Sequence, residues 1–92
     1  MSEIVVTAME PLHFGVQVTE GTVSTSHRVR VPPSLLDDLG LSESDAPAMV
    51  RETIGFLLDR EPATSIMAEF SLDDVSRFFP EYLDELTTRL AP

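Results

Sequence analysis

The chain has 92 residues, enough for one domain, and its 42% hydrophobic content argues against wholesale disorder. It has no cysteine, which excludes thiol catalysis, iron–sulfur clusters, thiolate zinc and any disulfide framework. Sixteen acids against six arginines, with no lysine, give a net charge of −10, a field that repels nucleic acid and anionic membranes at long range.

The charge is uneven: residues 26–60 carry four arginines against six acids, and residues 61–92 carry two against seven. No apolar run approaches the ~20 residues that span a bilayer. The opening MSEIVVTAMEPLH lacks a basic region and a small-residue cleavage site, so no signal peptide is expected and a cytoplasmic location is the default. A chain this size buries only roughly 60–65% of its unfolded surface, so a core shared in a homodimer would help it.

Residues 1–11 read as either an arm or a short edge strand built on Ile4, Val5 and Val6. Residues 12–31 read as a β-hairpin. Leu12, Phe14, Val16 and Val18 alternate with His13, Gly15, Gln17 and Thr19, which is strand period. With Glu20-Gly21 as the turn, Val18 should face Val23, Val16 face Thr25, Phe14 face His27 and Leu12 face Val29. Pro32-Pro33 stop the strand and start a helix-loop-helix over 33–60. Its first helix runs to Leu39 and Gly40 suits the C′ position. Asp45 is the expected N-cap of a second helix, from about Ala46 to Arg60. Met49, Val50, Ile54, Phe56, Leu57 and Leu58 cover well over 100° of that helix, which calls for contacts on two sides.

Pro62 ends the helix, and residues 63–90 read as C-terminal helices. Ala63 to Glu69 form a short turn or helix. Ser71 caps the next helix, with Asp74 in the capping-box position and Phe70 and Val75 at staple spacing. Pro80 opens a last helix with Tyr82, Leu83, Leu86 and Leu90 on one side and Glu81, Asp84 and Glu85 on the other. The expected fold is a single α+β domain: a hairpin packed on four or five short helices.

Chemistry is sparse. His13 and His27 fall on opposite faces of the hairpin, without ligand spacing, so no metal site is expected. His27 should sit partly buried with one ring nitrogen satisfied. The serines lack a nucleophile elbow and the single glycines make no phosphate loop, so neither a catalytic residue nor a cofactor is expected. Ser26, Arg28 and Arg30 share one face of their strand. Phe70, Phe78, Phe79, Tyr82 and Met67 form a cluster that reads first as core; if any part is exposed, it is the Phe78–Tyr82 corner.

Two resemblances follow. The VRVP strand, the LL helix and the helix beginning M-V-R-E resemble ribbon-helix-helix proteins over about thirty-five residues. That resemblance implies DNA contact by Ser26, Arg28 and Arg30 and phosphate binding near Ser44. Glu43 and Asp45 depart from it by opposing a phosphate, and the hairpin partner forces pairing between copies onto the strand's other edge. From Phe14 to Tyr82 the chain also resembles a group of small bacterial proteins, through His27 to Pro32, Phe56 to Pro62, Ser65, Ile66, Phe70 and Phe79 to Tyr82. That resemblance implies one compact domain and brings no activity with it.

The functional expectation is a non-enzymatic interaction module that binds itself or another protein. Its surface would comprise Val50, Ile54, Phe56, Leu57, Phe78 and Tyr82 with Glu81, Asp84 and Glu85. A DNA-binding regulator or antitoxin is the alternative, disfavoured by the net charge. An acidic accessory subunit docking a basic partner through Glu81, Asp84 and Glu85 is the third reading.

Overall fold

Alternation of apolar and polar residues between Ile4 and Arg30 builds a three-stranded antiparallel meander in the computed structural model, which describes residues 2–90. The strands are β1 (Ser2–Glu10), β2 (His13–Glu20) and β3 (Val23–Arg30). A short β4 (Glu69–Ser71) joins β3 in parallel, giving the order β1-β2-β3-β4. Four helices follow the meander: α1 (Pro33–Leu39), α2 (Ala46–Leu58), α3 (Leu72–Phe78) and α4 (Tyr82–Leu90). The α+β class therefore stands, with a mixed four-stranded sheet in place of a lone hairpin.

One open expectation is decided and two change. Of the two readings of residues 1–11, the edge strand holds: β1 pairs along β2, with a bulge between Ala8 and Glu10. Leu12 lies outside the strands, in the Pro11-Leu12 turn with φ +61°, and its carbonyl accepts from the Val31 N–H at 2.9 Å. The hairpin register is offset by two residues. Phe14 faces Val29, Val16 faces His27 and Val18 faces Thr25, around a Gly21-Thr22 loop. Gly21 supplies φ +61° from the first loop position, as a II′ turn requires, and not from the second. Side-chain direction repeats every two residues, so the shift leaves each residue on its expected face.

The helix boundaries also have local causes. Gly40 closes α1 in the left-handed region, φ +67°. A capping box lies one turn ahead of the expected Asp45 N-cap of α2. Ser42 and Asp45 bracket the 3₁₀ turn Glu43–Asp45, and Asp45 itself makes no N-cap bond to α2. At α3 the Ser71–Asp74 box forms as expected. Ala63 to Glu69, read as a short turn or helix, hold the 3₁₀ turn Ala63–Ser65, and Glu69 opens β4.

The core forms between the sheet and the helices. Phe14, Val16, Val18 and Val29 point down from the strands and Phe70 joins them from β4. Helix α2 packs against β1 on one side and α4 on the other, which meets the need of its broad apolar sector. Met49, Val50, Ile54 and Phe56 are fully buried. The Phe56 ring meets Phe79 at 5.6 Å and Tyr82 at 5.2 Å, both edge-on.

Thr53 and Tyr82 are the polar pair inside this packing. Thr53 Oγ1 donates to the Met49 carbonyl at 2.7 Å, so the Tyr82 hydroxyl donates to Thr53 Oγ1 at 2.6 Å. Burial pushes the Tyr82 hydroxyl up to about 12, only partly offset by the Thr53 bond. The unfolded chain ionises its tyrosine near 10, so stability should be full below that pH and fall as pH rises toward 12. Tyr82 is the single tyrosine, so ultraviolet titration reads it alone. Tyr82→Phe removes the pH dependence and costs about 1 kcal/mol. Thr53→Val strands the buried hydroxyl and costs more, about 1–3 kcal/mol, in urea unfolding.

Candidate functional site

The sheet has one bare face. On the side away from the helices, β1 offers Val5, Thr7 and Met9, β2 offers His13 and Gln17, and β3 offers Ser26, Arg28 and Arg30, all exposed. Half-polar alternation produces this, because residues between the core-facing positions meet water. Met9 lies across Gly15, its sulfur 3.2 Å from where a Cβ would stand, so glycine leaves room for it. Arg28 stands between two shallow depressions, one lined by Met9, Glu10, His13, Arg30 and Glu69.

Arg28 and Arg30 have no carboxylate within 4 Å among the described residues. The other arginines are engaged. Arg51 donates to the Ile4 carbonyl at 2.8 Å, and Arg60, Arg77 and Arg89 form the ion pairs of the helical side. The ribbon-helix-helix expectation needs a free second edge on β3. Here β4 takes that edge at Arg28, Val29 and Arg30.

The histidines separate as expected. His13 is exposed on the bare face, whereas His27 points to the core at 4% exposure. Both His27 nitrogens are engaged, one more than expected. Nδ1 donates to the Met67 carbonyl at 2.8 Å, and Nε2 accepts from the Thr25 hydroxyl at 2.8 Å. Nδ1 must carry the proton, because a carbonyl only accepts. His27 thus ties the approach to β4 onto the sheet. No cluster of three metal-ligating side chains forms among the described residues.

The expected interaction surface divides. Val50, Ile54, Phe56, Leu57 and Tyr82 are buried within the protein's own core, and the expectation that they face a partner is corrected. Helix α4 and the sheet cover both sides of α2. Glu85 is occupied by Arg60, at 2.8 Å, and by Arg89, and these hydrogen bonds hold its carboxyl below the usual range. Arg89 also binds Glu52 and Asp59. Glu81 reaches Arg60 at 3.7 Å while remaining half exposed, and Asp84 is exposed.

Phe78 is the apolar residue of that set that faces solvent, at 68% exposure. Neighbouring aromatic side chains at a helix end diverge: Phe79 turns in to Phe56 and Phe78 turns out. Between Phe78 and Met67, itself 47% exposed, lies an apolar groove of about 230 Å³. Leu57, Ile66, Phe70, Val75 and Phe79 form its floor, and Glu61 and Ser65 add polar groups. The sequence singled out the aromatic corner; the groove itself depends on β4, which three residues could not announce.

Comparison with protein-family models, curated proteins and solved structures finds no match to this chain.

Arg28→Ala with Arg30→Ala should change unfolding stability by no more than about 0.5 kcal/mol, because both side chains are exposed and neither has a carboxylate within 4 Å among the described residues. His27→Ala should cost about 1–3 kcal/mol, since it leaves the Thr25 hydroxyl and Met67 carbonyl without their partner. Urea denaturation of the variants measures both.

Proposed function

We propose that the protein is a non-enzymatic interaction module that self-associates through the free edge of β1. The observation that carries this reading is the contrast between the two edges of the sheet. β4 is only three residues long, which blunts its edge. β1 is nine residues long, and its stretch Ile4–Ala8, IVVTA, holds no charge, proline or glycine. The bulge and Glu10 guard its far end, and near its start the Arg51 guanidinium donates to the Ile4 carbonyl at 2.8 Å and must turn aside for a second strand to pair there. A long edge strand rich in β-branched residues, with no charged side chain of its own from Ile4 to Ala8, is a template for another strand.

A two-fold pairing of β1 with β1 centred on Val6 sets Val5 of each copy opposite Thr7 of the other. It keeps the Glu3 side chains at opposite ends. It also extends the bare face across both copies, bringing two pairs of arginines onto one surface. That surface suits an anionic group on a further protein.

The DNA reading retains one support, the exposure of Ser26, Arg28 and Arg30 on the bare face. Against it stand the occupied second edge of β3 and the net charge of −10. Duplex DNA at low salt is therefore expected to show no retardation.

Light scattering tests self-association. The expected mass is twice the 10.2 kDa of one chain. Val5→Lys with Thr7→Lys, both at exposed positions, crowds four cations across the junction and should return the mass to one chain. A wild-type chain that stays at 10.2 kDa across concentrations contradicts the reading.

A further inference from the structure

The groove between Met67 and Phe78 lies on the helical side, away from the bare sheet face, and is independent of β1. Its floor is apolar and its two lips are large, exposed, adaptable side chains. A lone exposed apolar residue is ordinary, but two flanking one depression form a continuous apolar strip.

The charges around the strip select what covers it. Glu61 lines the groove and makes no ion pair among the described residues. Glu81, two residues beyond Phe79, is half exposed, and residues 61–92 carry seven acids against two arginines. The two cations next in sequence to the groove are already paired, Arg60 with Glu85 at 2.8 Å and Arg77 with Asp74 at 3.6 Å. A second copy seated here would set an identical, unpaired Glu61 against the first. An acidic partner meets the same repulsion, whereas a cationic one is steered in.

We propose that this groove docks an apolar segment of another protein, flanked by Lys or Arg. Apolar side chains of the segment lie on Val75 and Phe79 between the Met67 and Phe78 lips. A flanking cation meets Glu61.

Random peptides displayed on phage and selected on the full chain test the proposal. Enriched peptides should carry two or three apolar anchors with lysine or arginine beside them. A synthetic copy of the most enriched peptide should bind Phe78→Ala at least about tenfold more weakly, as expected on losing a central aromatic contact. Glu61→Lys should weaken it about threefold or more and steepen no salt dependence, because the attraction being screened is gone. Met67→Ser provides a second groove variant, and circular dichroism checks that each variant is folded. Val5→Lys with Thr7→Lys should bind the peptide like wild type, which separates this proposal from self-association through β1. The proposal is overturned if no peptide is enriched, if the enriched peptides are acidic, or if Phe78→Ala binds them unchanged. It is equally overturned if Phe78→Ala halves the mass of the assembly, which would make a second copy the occupant.

Discussion

Helix α2 is the constraint on which this structure depends. Seven of its thirteen residues, Ala46, Met49, Val50, Thr53, Ile54, Phe56 and Leu57, are buried. Each large apolar side chain among them contributes roughly 1.5–3 kcal/mol when removed from water, so the helix needs cover on two sides. The sheet supplies one side and α4 the other. The three-layer order follows from that requirement, and so does the location of everything left exposed. The helices are drawn to one face of the sheet, which leaves the opposite face bare and Arg28 and Arg30 exposed on it.

Two small features hold the layers in register. His27 bonds across from β3 to the Met67 carbonyl and fixes the chain entering β4. The Tyr82–Thr53 bond performs the same task between α4 and α2, at the centre of an otherwise apolar contact. Arginines finish the outside of the α2–α4 seam. Arg60 stacks 3.6 Å above the Phe56 ring and reaches Glu85, and Arg89 gathers Glu52, Asp59 and Glu85. These surface pairs are each worth little, so the buried contacts carry the seam. The acidic residues left over give the helical side its charge, and that charge sets the chemistry of the groove beside Phe78.

Much of the fold was legible because it rests on short-range chemistry. Alternation between Phe14 and Val29 assigned each strand residue to its face, and prolines at 32, 62 and 80 marked the breaks between elements. The hairpin register escaped because alternation is blind to shifts of two. Glycine suits positive φ in either loop position, so Gly21 alone could not choose between them. β4 escaped because a three-residue strand has no period to detect. Its pairing depends on a partner forty residues earlier in the chain. The surface residues failed for a related reason: an apolar helix face looks the same whether α4 or another copy covers it. Val50 and Phe56 could not reveal which, whereas Phe78, next to an inward-facing Phe79, could be singled out from the sequence.

The central claim is that one chain completes its own α2 core, which leaves the proposed contact between chains to β1. An isotope-filtered nuclear Overhauser experiment on a mixture of carbon-13-labelled and unlabelled chains tests it directly. Phe56–Tyr82 and Thr53–Tyr82 contacts should appear only within one chain, and contacts between chains should come from Val5, Val6 and Thr7. Signals between chains from Ile54 or Phe56 would contradict it.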